Sequence, residues 1–93
     1  MKVQFPFRLP LGNIVATPHA LDMLEPWDII AAIERHKTCD WGYVNDEDWQ
    51  SNDEAYILGE RILSSYKSET GTRFWIITEA DRSVTVILMA EDY

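Results

Sequence analysis

The side chains best suited to catalysis or metal binding in this chain are two histidines and one cysteine, His19, His36 and Cys39. Cys39 lies three residues after His36, a spacing at which a charged imidazole would lower the pKa of the thiol and favour a nucleophilic thiolate. Asp40 opposes this, because a neighbouring carboxylate disfavours the thiolate. No second His or Cys stands at a spacing that closes a zinc site. We therefore interpret Cys39 as a packing residue and expect no catalytic residue, no metal and no cofactor.

Acidic residues are concentrated in one segment just beyond this pair. The five carboxylates are Asp46, Glu47, Asp48, Asp53 and Glu54. The first three suit the positive N-terminal end of a helix, and a solvated helix face explains them. The remaining excess suits a surface that binds a basic partner protein, with Trp41 or Trp49 as an anchoring aromatic side chain.

Two arginines near the C-terminal strands have glutamates close by. Arg61 follows Glu60 directly, and Arg82 follows Glu79 by three residues. Ion pairs across neighbouring strands are the structural interpretation of these residues.

Three helices are expected before these strands. Thr17 and Pro18 combine an N-capping side chain with a proline at the first helical position, which predicts a short helix. Pro26 marks the start of a second helix, in which apolar residues recur every three to four positions. Asn45 is the expected N-cap of the third helix, and Gly59 is its expected stop.

The last third of the chain predicts an antiparallel β-meander. Its three runs, 60–67, 72–79 and 83–89, are rich in β-branched and aromatic residues and are separated by turn-forming segments. The expected fold class is α+β, with two or three N-terminal helices packed on a C-terminal three-stranded antiparallel meander. Both faces of the strands carry apolar residues. We therefore expect helices on one face, and the N-terminal arm or a second copy over part of the other.

The chain of 93 residues is interpreted as a single acidic domain, 1–93, with a proline-rich arm over residues 1–11. Pro6 and Pro10 argue against a long helix or a central strand in this arm. Sixteen acidic against eight basic side chains give a net charge of -8, which disfavours direct nucleic-acid binding. A single cysteine, with no signal peptide or long apolar run, predicts a cytoplasmic protein without membrane contact.

The order of helices followed by a meander that carries Arg-Ile-Leu-Ser-Ser at 61–65 and Trp-Ile-Ile-Thr at 75–78 resembles barnase-type and toxin-type ribonucleases. Such enzymes use a glutamate or histidine as base and arginines on the phosphate. The resemblance implies a candidate phosphate site, in which Arg61 and Arg82 converge on one pocket with Glu60 or Glu79, as the alternative to structural ion pairs. The chain departs from the pattern because its final turn, 79–83, contains no histidine and its net charge is negative.

A group of small uncharacterised bacterial proteins, often carried on plasmids and other mobile elements, offers a closer resemblance. The similar stretches are Cys-Asp-Trp-Gly at 39–42, Arg-Ile-Leu-Ser-Ser-Tyr at 61–66, Trp-Ile-Ile-Thr-Glu-Ala-Asp-Arg-Ser at 75–83 and the closing Glu-Asp-Tyr at 91–93. They span roughly the last two thirds of the chain. This resemblance implies a mobile-element setting and no particular mechanism.

Three functional hypotheses follow. The first is a non-enzymatic protein-interaction factor of a mobile genetic element, such as an acidic inhibitor of a host defence complex of the anti-CRISPR or anti-restriction type. The second is a ribonuclease-like toxin or its inactive descendant. The third is an accessory or stabilising subunit that makes contacts through the apolar sheet face and the arm, including contacts with a second copy.

Overall fold

The computed structural model describes residues 7–93 and has an α+β fold. Its elements are β1 (Asn13–Ala16), α1 (Pro18–Met23), α2 (Pro26–Lys37), α3 (Asp46–Leu58), β2 (Ile62–Lys67), β3 (Arg73–Thr78), β4 (Val84–Leu88) and a short 3₁₀ turn (Ala90–Asp92). The strands form one sheet in the order β1-β4-β3-β2. The first six residues of the predicted arm lie outside the described part of the chain.

All three predicted helices are present, and their caps are those that the sequence predicts. Thr17 Oγ1 accepts a hydrogen bond from the third residue of α1 at 3.1 Å, and Pro26 is the first residue of α2. Asn45 Oδ1 accepts from the Asp48 backbone N–H at 2.7 Å. The cap after α3 is Gly59, which has a φ of 73° in the left-handed region that favours glycine.

The predicted meander is present, and one further strand joins it. β2 pairs with β3 and β3 pairs with β4, both antiparallel. β1 pairs with β4 in parallel, from Asn13 opposite Val84 to Ala16 opposite Ile87. The prediction of a three-stranded antiparallel sheet after all the helices is therefore wrong: the sheet is four-stranded and mixed. The sequence of residues 12–16 is compatible with a short strand or with the end of the arm. Its pairing is not evident locally, because β1 bonds to a strand near the other end of the chain.

The helices α1 and α2 cover one face of the sheet. A first core cluster joins α1 and α2 to the sheet. It contains Ala20 of α1, Leu24 directly after α1, Ala32 of α2, and Tyr66, Phe74, Ile76, Ile87 and Met89. A second cluster, under α3, contains Leu9, Trp41, Ala55 and Ile62. Residues 7–11 of the arm therefore pack on the helix side, because Leu9 is buried there.

The opposite face of the sheet is covered in part by the end of the chain. The Tyr93 ring contacts Trp75 edge-on, with the ring centroids 5.6 Å apart, and the Arg61 guanidinium lies 5.3 Å from the centre of the Tyr93 ring. The expectation that the arm covers this face is wrong for residues 7–11. The C-terminal residue takes that place instead.

A buried polar network ties α2 to the meander. His36 has no exposed surface. Its Nδ1 contacts the Ser64 hydroxyl on β2, and its Nε2 lies 2.8 Å from Thr78 Oγ1 on β3. Thr78 bonds to Thr85 on β4 at 2.7 Å, and Thr85 donates to the Leu11 carbonyl oxygen at 2.8 Å.

This network fixes the protonation of His36. Because the Leu11 carbonyl can only accept, Thr85 donates to it, Thr78 donates to Thr85, and His36 Nε2–H donates to Thr78. Nδ1 is left to accept from Ser64. Burial lowers the pKa of His36 to about 4, so the imidazole is neutral near pH 7. His36 is thus a structural crosslink between α2 and three strands.

Candidate functional site

The outer face of α3 carries the acidic surface that the sequence predicts. α3 turns Asn52 and Ala55 toward the rest of the fold, where both are buried. The residues that point away, which we call the outer face of α3, are Asp46, Glu47, Gln50, Asp53, Glu54, Ile57 and Leu58. Asp48 is also exposed, and it lies at the flank of the helix beside Val44 and Leu63.

The five predicted contact carboxylates have no cationic partner within residues 7–93. The ion pairs of this region join His19 to Glu91 and Asp92, Arg35 to Asp40, and Arg61 to Glu79. Asp53 accepts a hydrogen bond from the Trp41 indole N–H at 2.9 Å, and Glu54 accepts one from Gln50 at 3.4 Å. The negative charge of α3 is therefore not balanced by Lys or Arg side chains of the described chain.

The two tryptophans proposed as anchors lie on the inner side of this helix. Trp41 has a relative exposure of 0% and packs edge-on against His36, with the ring centroids 5.7 Å apart. Trp49 is partly buried against the same cluster. A partner cannot reach Trp41 in this structure, because its ring is part of the core.

Two exposed aliphatic side chains lie at the C-terminal end of the outer face of α3. Ile57 is 78% exposed and Leu58 is 70% exposed, directly after the acidic turns of α3. The sequence pattern also predicts that Ile57 lies on the inner side of α3 with Trp49 and Tyr56, which are seven residues apart, and this prediction is wrong. In the helix, however, position 57 lies about 80° of rotation from position 49, which is enough to carry its side chain out of the core. The exposure of Ile57 is therefore predictable when the rotation of about 100° per residue is followed along the helix, and not when residues are grouped by the seven-residue repeat alone.

Arg82, one of the predicted phosphate ligands, is occupied by backbone carbonyl groups. Its guanidinium donates to the Ala55 oxygen at 2.9 Å, to the Glu60 oxygen at 2.6 Å and to the Glu79 oxygen at 3.3 Å. These bonds join the last turn of α3 to the β3–β4 turn, where a cation also complements the negative end of the helix dipole. Arg82 itself has a φ of 61°, a left-handed conformation that is uncommon for a residue with a side chain.

Arg61 is held by its neighbours on the opposite sheet face. Its Nε lies 3.4 Å from Glu79 Oε1, and its guanidinium donates to the Tyr93 hydroxyl at 2.8 Å. The bond to Tyr93 is the main reason that the pKa of Arg61 is raised. Arg61, Arg82, Glu79 and the Glu60 backbone thus lie together, bound to one another and to nearby groups. A phosphate-binding role for this set stays a prediction.

The histidine and cysteine side chains are also engaged in packing or local bonds. Burial, and secondly the Asp53 charge, raise the pKa of the Cys39 thiol to about 11, which keeps it protonated near pH 7. His19 Nδ1 lies 2.9 Å from Asp92 Oδ1, and Asp92 also accepts from the Thr17 hydroxyl at 2.7 Å. Within residues 7–93, no group of three His, Cys, Asp or Glu side chains is arranged to hold a metal ion.

Comparison of the chain with protein families, curated proteins and solved structures finds no match. The resemblances to a mobile-element group and to ribonucleases therefore stay predictions. No helix within residues 7–93 is long and apolar enough to cross a membrane.

The residues that carry the mobile-element resemblance have clear structural tasks. In the 39–42 stretch, Trp41 is a core residue and Asp40 Oδ1 accepts from the Gly42 N–H at 3.2 Å. In the 75–83 stretch, Arg82 caps α3, as described above. In the closing stretch, Asp92 binds the start of α1 through Thr17. These stretches stabilise the fold, and the outer face of α3 lies outside them.

Proposed function

We propose that this chain is a non-enzymatic protein-interaction factor that occupies a basic surface of a partner protein through the outer face of α3. One observation carries the proposal: α3 exposes five carboxylates, and none forms an ion pair with a Lys or Arg of residues 7–93. A cationic partner surface would supply the missing charges.

The capping of α3 accounts for only part of this charge. Asp46, Glu47 and Asp48 lie in the first turn, where the helix dipole favours carboxylates. Asp53 and Glu54 lie beyond the first turn, where that stabilisation has faded and like charges repel one another. Asp53 also accepts the hydrogen bond of the Trp41 indole. Glu54 bonds only to Gln50 of its own helix, and its place on an exposed face has a reason if lysines or arginines of a partner contact it.

Ile57 and Leu58 extend this face with an apolar end. Interfaces gain most of their binding energy from a few desolvated side chains, while surrounding polar contacts exclude water and select the partner. On α3, the two aliphatic side chains would supply the desolvated contact, and the carboxylates would supply the charge complementarity. This division assigns the anchoring role to exposed residues rather than to the buried Trp41.

The partner class is proposed from charge and from the mobile-element resemblance. A defence complex that binds nucleic acid presents grooves of lysine and arginine to phosphate groups. Carboxylates spaced along a rigid helix can occupy such a groove. We therefore propose an inhibitor of the anti-CRISPR or anti-restriction type, whose mobile-element setting rests on the resemblance alone.

The test is a pull-down from a bacterial lysate that contains native defence systems, at low and moderate salt, with bound proteins identified by mass spectrometry. The wild-type chain is compared with E47K/E54K on the outer face of α3 and with D22K/E25K elsewhere on the surface. Both double variants change the net charge by the same amount, and all four glutamate and aspartate positions are exposed.

The proposal expects one nucleic-acid-binding complex to be captured by the wild type and by D22K/E25K, weakened by salt, and lost with E47K/E54K. Equal capture by E47K/E54K with an unchanged salt dependence would contradict it. The variant I57S keeps every charge, and we expect it to weaken capture about tenfold without changing the salt dependence.

A further inference from the structure

The two edge strands of the sheet, β1 and β2, differ in whether their outward backbone groups are hydrogen-bonded. On β2 they are, and we call this border closed. The Asn52 side chain donates to the Leu63 carbonyl at 2.8 Å and accepts from the Leu63 N–H at 3.4 Å, as a neighbouring strand would. Ser65 N–H donates to the Trp41 carbonyl at 3.2 Å, and Tyr43 N–H donates to the Ser65 carbonyl at 2.7 Å. The loop before α3 thus forms a bridge to β2, and the outward groups of Leu63 and Ser65 in the middle of this strand cannot pair with another chain.

The β1 border is open. Asn13 N–H donates to the Ser83 carbonyl and Thr17 N–H to the Ile87 carbonyl, so the odd-numbered residues of this strand face β4. Ile14 and Ala16 therefore turn their N–H and C=O groups away from the sheet, and nothing in residues 7–93 bonds to them there.

The side chains at this border are apolar and accessible. Ile14 is 49% exposed and Val15 is 46% exposed. A groove of about 460 Å³ adjoins Ile14 and reaches Ile33 on α2. One turn before Glu34 on the same helix, Ile30 is 67% exposed. An open strand with accessible aliphatic side chains is the kind of edge that proteins normally protect, so its exposure points to a missing neighbour.

We propose that this neighbour is a second copy of the chain, paired antiparallel through β1 across a two-fold axis. A second copy has only one edge to offer, because its β2 border is closed by Asn52 and the 41–43 loop. Pairing between copies must therefore be β1 with β1, which is the self-complementary contact that a closed two-fold dimer requires.

One register uses all the open groups. When the two-fold axis passes between the two Val15 residues, Ile14 of each copy stands opposite Ala16 of the other. Those are the residues with outward N–H and C=O groups, so each pair exchanges both of its hydrogen bonds. The bulky Ile14 meets the small Ala16 on the helix side, and the two Val15 side chains meet on the opposite side, at the closer spacing of a non-hydrogen-bonded pair.

The local charge permits this contact in a protein of net charge -8. The groove beside β1 is lined by Arg8 and Lys37 against the single acidic residue Glu34. The carboxylates of α3 lie at the other border of the sheet, beside β2. Two copies that meet at β1 therefore keep their most acidic surfaces apart.

The strands alone are too short for a stable dimer. A typical interface buries about 800 Å² on each partner, more than a short edge strand supplies. The α2 surface beside β1 must contribute, and Ile30 is its most exposed apolar residue near the groove. The proposal thus predicts that Ile14 and Ile30 both lie in the interface.

The test is sedimentation velocity of the full chain over roughly a hundredfold range of protein concentration, in which a dimer must dissociate by mass action. We compare the wild type with I14K, I30K and I57K. Each substitution places lysine at an exposed isoleucine and makes the net charge less negative by the same amount, so the overall repulsion between copies changes equally in all three. Circular dichroism and thermal unfolding confirm that each variant is folded.

We expect a dimer whose dissociation constant rises at least about tenfold in I14K and I30K and is unchanged in I57K. Hydrogen exchange gives an independent readout, because dimerisation must slow exchange of the Ile14 and Ala16 amides. A monomer at all concentrations overturns the proposal and leaves the edge for an extended segment of a different protein. A dimer that I14K and I30K do not weaken, or that leaves those amides unprotected, overturns it equally.

This inference is independent of the proposed function, and the variants separate the two. I57K is expected to impair partner capture and to spare the dimer, whereas I14K is expected to do the reverse. Salt distinguishes them as well: screening weakens a contact between opposite charges but reduces the repulsion between two acidic copies.

Discussion

The two edge strands of the sheet differ in their outward backbone groups, which are hydrogen-bonded within the fold at β2 and unbonded in residues 7–93 at β1. At β2, the side chain of Asn52 and the backbone of residues 41–43 satisfy the outward groups of Leu63 and Ser65. At β1, the corresponding groups of Ile14 and Ala16 have no partner in residues 7–93. Protection against unwanted pairing is therefore specific to one edge.

Both borders depend on a glycine that allows close backbone approach. A Cβ on Gly42 would lie 2.1 Å from the Ser65 carbonyl oxygen, and a Cβ on Gly12 would lie 2.3 Å from the Ser83 carbonyl oxygen. At Gly42 the close approach lets the loop of residues 41–43 bond to β2. At Gly12 it lets β1 pair with β4, and no further segment of residues 7–93 follows on the outer side of β1. The edges differ because Asn52 of α3 and the loop of residues 41–43 both bond to β2, whereas nothing in residues 7–93 bonds to the outward groups of β1.

The largest loss of stability is expected from adding a side chain at Gly42, where the loop approaches β2 most closely. G42A places a Cβ against backbone at a φ of 73°, and we expect it to lower the free energy of unfolding by about 4 kcal/mol. G59A has the same φ but no atom within 4 Å of the added Cβ, so about 1 kcal/mol is expected there. Urea unfolding of both variants measures the contact. Equal losses of unfolding free energy in the two variants would mean that the 41–43 loop moves away from Ser65 at little cost, and that its contact with β2 is weak.

A slightly smaller loss of stability is expected when the pH is lowered, because protonation of His36 would disrupt the hydrogen bonds that join α2 to β2, β3 and β4. The folded-state pKa of His36, about 4, lies below its ordinary value of 6.5. As the pH falls, the unfolded chain takes up this proton first. The stabilisation is therefore complete above about pH 6.5, is lost progressively toward pH 4, and amounts to about 3 kcal/mol.

The measurement is urea unfolding at a series of pH values, with H36Q as the control. Glutamine does not titrate, so we expect H36Q to be less stable than the wild type near pH 7 and to lack the slope between pH 6.5 and 5. Carboxylates contribute equally to both proteins and cancel in the difference. A wild-type slope that persists in H36Q would refute the assignment to His36.

The smallest effects compare one polar substitution at each edge. N52A leaves the Leu63 N–H and C=O without their partner, and we expect a loss of about 2 kcal/mol with faster hydrogen exchange at Leu63. V15T replaces a half-exposed side chain by one of equal shape, and we expect a change below about 0.5 kcal/mol. If both variants were equally mild, Asn52 would not be the group that closes β2.

Features that depend on neighbouring residues were predictable from the sequence. The caps at Thr17, Asn45 and Gly59 act on backbone groups within a few positions, so their chemistry is readable locally. The meander follows from short turns between β-branched runs, which pair because they are adjacent. The acidic surface of α3 was predictable for the same reason, since the charges lie on one helix.

Contacts between distant parts of the chain were decided only by the tertiary structure. β1 pairs with β4 across almost the whole chain, and Trp41 is buried because α3, β2 and the arm close around it. Arg82 binds the end of α3 because the β3–β4 turn is brought there by the sheet. Composition and local sequence patterns determined an acidic α+β domain whose carboxylates are concentrated on one helix. The packing of sequence-distant elements determined which aromatic is core, which arginine is a cap and which edge is open, because no local pattern records the partner of a long-range contact.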